Sequence, residues 1–239
     1  MALNLNGVTA VLLPGSGSDD DYVYRAFSGP LRQLGADLIA HRPQPDHLID
    51  GYLAALDAAA RSGPILVGGV SIGAAVAADW ALRHPGRAVA VLAALPAWIG
   101  SPESAPAAQA ARHSAGQLRR DGLAAVVAQL RASSPAWLAD ELTRSWTAQW
   151  PELPDSLMQA AAYVAPSRAD LHRLDVPLGV AAAVDDEIHP LQTAENWVAA
   201  APRAALRTVT LDQIGADPAA LGAACLAALA EAWRGFNRR

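Results

Sequence analysis

The segment Ile65–Ala81, ILVGGVSIGAAVAADWA, constrains this chain more than any other. An apolar β-type run, Ile65–Val70, passes through Gly69-Val70-Ser71-Ile72-Gly73 straight into a helical pattern from Ile72 to about His84, which stops at Pro85-Gly86. A serine wedged between strand and helix must sit on a sharp turn, and glycines two residues to either side relieve the crowding there. Such a turn lifts the hydroxyl to the carboxyl end of a strand, beside the first N–H groups of a helix, where negative charge is favoured. The competing reading is a glycine-rich turn whose serine merely caps the helix.

The rest of the chain repeats this alternation. Short apolar runs lie at Val8–Leu13, Asp37–Ala40, Ala88–Leu95, Pro177–Val184 and Ala205–Leu211, separated by helical patterns. Asp46 reads as the N-cap of a helix to about Arg61, and later helices are expected at Leu191–Ala200 and from Asp217 to about Trp233. Strands alternating with helices predict a mostly parallel sheet of about six strands with helices on both faces, an α/β class. Between Pro96 and about Asp170 the rhythm changes. Leu118–Leu130 and Trp137–Trp150 are amphipathic, prolines separate the segments, and no strand is expected. Residues 1–95 and 171–239 are therefore read as the core domain, and 96–170 as a helical insertion after the fourth strand.

Composition removes other classes of function. There is no lysine, and arginine carries all the fixed positive charge. A Walker A loop, a Schiff-base site and a Ser-x-x-Lys acyl-enzyme site are excluded, since each needs a lysine amine. A net charge of −5 argues against a surface that tracks phosphates, so no nucleic-acid partner is expected. The single Cys225 lies in an Ala/Leu-rich helical stretch and is expected to be buried and inert. The opening MALNLNGVTAVLLPG lacks a basic region and breaks too early to span a bilayer, so a cytoplasmic protein without a membrane partner is expected.

Two further motifs flank the serine. The first run ends in Leu12-Leu13-Pro14-Gly15-Ser16-Gly17, and the fifth is followed by Val184-Asp185-Asp186-Glu187-Ile188-His189-Pro190. A dinucleotide-binding reading of GSGSDD fails because Asp20 occupies the third glycine position. With these three motifs in this order the chain resembles the α/β-hydrolase superfamily, in a form lacking the first two strands and carrying a helical cap. The resemblance implies that Ser71 is the nucleophile on its elbow. In the family a His-Gly pair opens the loop after the first of these strands. Pro14 replaces that histidine, Gly15 is kept, and the oxyanion donors become the N–H groups of Ser16 and Ile72. The family's acid follows the fifth run, commonly four residues before a proline. That selects Asp186, with Asp185 as the alternate. The other reading leaves both aspartates in a solvated loop, with His189 stabilising the next helix. A metal held by Asp186 and His189 lacks an evident third ligand.

The family's histidine lies in the loop after the last strand. Here that loop reads Leu211-Asp212-Gln213-Ile214-Gly215-Ala216-Asp217-Pro218, and Ala216 stands at the histidine position. Three explanations compete: an engineered replacement, a natural binding protein without a base, or another histidine, such as His189 or His113, that reaches Ser71. Whichever holds, the chain as it stands is expected to be a poor esterase, and on the serine-hydrolase reading Ala216→His should raise hydrolysis by several orders of magnitude. The remaining histidines, His41, His47, His84 and His172, have structural readings.

The insertion holds Trp98, Trp137, Trp146 and Trp150, which either line an acyl- or aryl-accepting pocket with Met158 or fill the insertion's own core. The resemblance implies a serine hydrolase for a small, largely apolar ester, lactone or thioester. A ligand-binding pseudoenzyme and a carbon–carbon bond hydrolase are the alternatives. No cofactor or metal is expected, the partner is a small-molecule substrate, and a homodimer stays open.

Overall fold

The computed structural model describes residues 3–236. Six strands, β1 (Thr9–Leu13), β2 (Asp37–Ala40), β3 (Ile65–Val70), β4 (Ala88–Ala94), β5 (Leu178–Ala183) and β6 (Ala204–Val209), form one sheet in the order β2-β1-β3-β4-β5-β6. Every neighbouring pair is parallel. The helices are α1 (Asp20–Gln33), α2 (Leu48–Ala59), α3 (Ile72–Arg83), α4 (Pro106–Ser133), α5 (Ala136–Gln149), α6 (Leu153–Ala162), α7 (Arg168–His172), α8 (Leu191–Ala200), α9 (Leu211–Ala216) and α10 (Ala219–Phe236).

Side chains of a strand alternate between the two faces of its sheet. Val11, Leu13, Val67, Val91 and Val180 accordingly face one layer, where they meet Leu48, Tyr52, Trp80 and Trp197 from α2, α3 and α8. Leu12, Leu66, Leu92 and Ala181 face the other, against Val23, Phe27, Cys225 and Leu229 from α1 and α10. Both faces are covered, which is why β3 and β5 are buried at every residue and read as unbroken apolar runs.

The chain runs from β1 outward to β2 and returns to pair β3 against the other side of β1. In open parallel sheets the crevice at the carboxyl ends of strands flanking such a reversal is where ligands bind. Here the two strands are β1, leading to Pro14-Gly15-Ser16, and β3, leading to Ser71.

Several local expectations differ from the structure. The insertion begins its helices earlier: α4 starts at Pro106, and Gly122 breaks it with φ 77, a left-handed value that favours glycine. Asp46 does not cap a helix through its side chain; it lies in a 3₁₀ turn, Pro45–His47, before α2. Residues 211–216 are not loop but α9, because Thr210 and Gln213 form a reciprocal capping box that nucleates a short helix. Among the described residues no helix is long and apolar enough to cross a membrane.

Candidate active site

Ser71 joins β3 to α3 with φ 55 and ψ −117, a backbone conformation that costs a non-glycine residue about 1–3 kcal/mol. Its surroundings hold it there. The Ser71 N–H donates to Ala94 O at 2.9 Å, and its carbonyl accepts the N–H of Ala74 at 3.1 Å. Gly73 is required by space: a Cβ there would collide with the carbonyl oxygens of Leu13 and Pro14. The turn is therefore packed directly against the end of β1.

The Ser71 hydroxyl has a partner. His189 Nε2 lies 2.9 Å from Ser71 Oγ, and His189 Nδ1 lies 2.9 Å from Asp186 Oδ2. The segment after β5 folds so that Asp186 Oδ1 accepts the backbone N–H groups of Ile188 (2.8 Å) and His189 (3.0 Å). This aspartate-centred turn brings the side chain of residue 189 back over the carboxylate three positions earlier. Both side chains are largely sheltered, at 18% exposure for His189 and 9% for Asp186.

The proton inventory follows from these partners. An ionised carboxylate only accepts, so Nδ1 carries the hydrogen toward Asp186 and Nε2 presents its lone pair to the Ser71 O–H. Burial acts to raise the Asp186 pKa. The hydrogen bond and charge of His189 and the two backbone N–H groups outweigh it, holding the carboxyl below the usual aspartate range. Asp185 does different work: its Oδ1 accepts the N–H of Leu211 at 2.9 Å and ties this turn to the start of α9.

Beside Ser71 runs the loop after β1. A Cβ on Gly15 would lie 3.5 Å from Ser71 Cβ, so the loop touches the serine. Ser18 N–H donates to Gly15 O at 3.0 Å, closing a turn with Ser16 inside it, and the buried Tyr52 hydroxyl donates to Pro14 O at 2.9 Å. Ile72 is the first residue of α3, so its N–H has no acceptor within the helix. The loop after β1 and the first turn of α3 thus both adjoin Ser71.

The other candidates fall elsewhere. Ala216 is the last residue of α9, and Gly215 beside it is filled by Trp137, whose ring a Cβ there would strike. His113 is exposed on α4. His84 stacks on Trp80 with ring centroids 4.5 Å apart. Cys225 is buried, its thiol donates to Gly179 O at 3.2 Å, and burial pushes its pKa up to about 12. Trp146 packs with Ala115, Leu118, Leu153 and Leu157 inside the insertion, Trp98 joins the core beside α3 and α8, and Trp150 and Met158 are exposed. Among the described residues no group of three histidine, cysteine or acidic side chains is placed to hold a metal ion.

The sequence named His189 only as an alternate base. The signal was present: an aspartate and a histidine three residues apart, just after an apolar strand, with no histidine later in the chain. Spacing alone leaves open that the turn brings both side chains to a serine 118 positions away.

No family model matches the sequence, and no curated protein matches it. The fold has many solved counterparts. A hydrolase from Oleispira antarctica aligns over 100% of this chain and 94% of its own, with TM-score 0.67 and 12% identity. A thermophilic esterase from Thermogutta terrifontis aligns over 98% and 91%, with TM-score 0.63 and 17% identity. An enol-lactonase from Burkholderia xenovorans LB400 aligns over 87% and 84%, with TM-score 0.60 and 19% identity.

Proposed function

We propose that this protein, whose fold is that of the α/β-hydrolases, is a serine hydrolase for a small, largely apolar ester, lactone or thioester. Ser71 is the nucleophile, His189 the general base and Asp186 its orienting acid. The observation that carries this reading is the His189 ring, hydrogen-bonded at 2.9 Å to both Ser71 Oγ and Asp186 Oδ2. The segment 96–170 is taken as a cap over the site.

In the first step Ser71 Oγ attacks the substrate carbonyl carbon while His189 Nε2 accepts the hydroxyl proton. Asp186 stabilises the imidazolium that results, and the Ser16 and Ile72 N–H groups receive the oxyanion. Collapse expels the alcohol or thiol, which takes the proton from Nε2, and leaves an acyl group on Oγ. Water, deprotonated by the same nitrogen, attacks the acyl carbon, releases the acid and returns the proton to Ser71. The contact of His189 with Ser71 supports a base other than residue 216, and so favours the enzyme over the pseudoenzyme alternative.

A fluorophosphonate probe tests the assignment. Ser71 is expected to be labelled in the chain as it stands, and both His189→Ala and Ser71→Ala to abolish labelling. Efficient labelling of His189→Ala, or none of the unmodified chain, overturns it. Hydrolysis of a diketone in the absence of ester turnover moves the assignment to the carbon–carbon hydrolases.

A further inference from the structure

The loop that supplies the Ser16 N–H is held from outside the core. Helix α5, within the insertion, contacts the three residues that follow Ser16. Against Gly17, a Cβ would lie 2.9 Å from Trp146 Nε1. At Ser18, the carbonyl accepts Gln149 Nε2–H at 3.0 Å, and the same amide nitrogen donates to Ser145 Oγ at 2.8 Å. At Asp19, both carboxylate oxygens take the Arg144 guanidinium, with Nη2 at 2.8 and 3.0 Å and Nε at 3.1 Å. A planar fork on a carboxylate fixes angle as well as distance, which a point charge does not.

The grip is braced on both sides. Asp19 also caps α1, accepting the Tyr22 N–H at 2.9 Å. Glu141, one turn before Arg144, bridges Arg144 Nη1 and Arg25 Nη2, each at 2.7 Å, and Arg25 Nε reaches Asp21 at 2.8 Å. Burial works against the charge on Arg144, but its bonds to Asp19 and Glu141 more than compensate and raise its pKa. Asp19 is 8% exposed but the Arg144 side chain is 41% exposed, so only the carboxylate end of the pair is sheltered, and its value lies in geometry more than in charge. The contact also buries Trp146 Nε1 and Gln149 Oε1 without hydrogen-bond partners. Two unpaired buried groups are a cost that packing against residues 17–19 must offset.

We infer that α5 completes the oxyanion hole: Arg144, through Asp19, and Gln149, through Ser18, are positioning residues that set the direction of the Ser16 N–H. The insertion then does more than cover substrate, because lifting α5 from the core releases the loop and disarms the site. This rests on the serine-hydrolase reading for its kinetic consequences, and on the loop's own geometry for the rest.

The test uses the full chain with Arg144→Ala, Asp19→Asn and Gln149→Ala. Asparagine at 19 retains an N-cap acceptor for α1 while removing the charge that holds the guanidinium. Hydrogen exchange at the Ser18 amide, bonded to Gly15 O at 3.0 Å, is expected to quicken at least about tenfold in each variant, with β3 unchanged. With p-nitrophenyl acetate, kcat is expected to fall about 10- to 100-fold at near-constant KM. Binding of a trifluoromethyl ketone should weaken in parallel, as for a loosened oxyanion donor. The pH dependence of kcat/KM should keep its shape, since His189 and Asp186 are untouched. Unchanged exchange in the loop, or a loss confined to KM, overturns the inference. If the unmodified chain neither turns over esters nor labels at Ser71, the hydrolase reading falls alone, and the exchange measurement still decides whether α5 sets the loop.

Discussion

Replacing His189 by alanine isolates the central claim. The substitution removes one ring and two hydrogen bonds of 2.9 Å, to Ser71 Oγ and to Asp186 Oδ2. It leaves Asp186 seated, because the two backbone N–H groups on Oδ1 survive any side-chain change. The fold should therefore be retained, and the loss should fall on the chemistry. Removing the base of a serine triad lowers kcat by about 10⁴- to 10⁶-fold, or about 5–8 kcal/mol of transition-state stabilisation. Initial rates with p-nitrophenyl acetate read it directly, provided Ser71→Ala and the double variant run beside it. Residues that act as one unit are not additive, so the double variant should be no slower than either single one. Ala216→His in the unmodified chain should bring no gain of orders of magnitude, because His189 Nε2 already lies 2.9 Å from Ser71 Oγ. His189→Ala within about threefold of the unmodified rate refutes the assignment, as does a large gain from Ala216→His.

Asp186→Asn should cost about 10⁴-fold in kcat through loss of the correct imidazole tautomer, whereas Asp185→Asn should stay close to the unmodified rate; paired kinetics separate them. Gly73→Ala should destabilise the protein by about 1–3 kcal/mol in urea unfolding, since its Cβ meets two carbonyl oxygens with no room to yield. Ser71→Gly should raise stability by roughly 1 kcal/mol in the same assay while abolishing activity, by releasing the strain at φ 55. His41 gives a pH dependence of stability. Burial lowers its pKa against the opposing charge of Asp20, and its Nε2 is buried without a partner. The unfolded chain binds that proton at about pH 6.5 and the folded one only at lower pH. Its contribution is thus full above about 6.5 and is lost as pH falls through the lowered value, so His41→Phe should flatten the urea midpoint between about pH 8 and about pH 5.

The strands were readable because both faces of the sheet are covered. Ile65–Val70 and Asp37–Ala40 match their expected limits, and the remaining strands differ by a residue or two at their ends. Ser71 was readable because a strand, a glycine-flanked serine and a helix leave the backbone one way to turn. Two features were hidden by short-range hydrogen bonding that composition does not advertise. The Thr210–Gln213 capping box makes residues 211–216 helical where a loop was expected. The turn around Asp186 folds His189 back onto its neighbour, and a helix-stabilising role was the plainer reading of a histidine before Pro190. The contacts of α5 with Gly17, Ser18 and Asp19 join residues more than 120 positions apart, which no local pattern encodes.

The proposed acid and base, Asp186 and His189, lie three residues apart, in one turn of the main chain. With the histidine at position 216 the same pair would close a segment of about thirty residues, and a tenfold shorter closure saves about 2 kcal/mol of chain entropy. Their mutual geometry is then a property of residues 185–190 and not of how β6 and α9 dock. On the proposed mechanism the pair would be a portable cassette: residues after Pro190 would answer to packing and not to chemistry, and substitutions there should drift without silencing hydrolysis. A search for such proteins by a histidine after the last strand would pass them by.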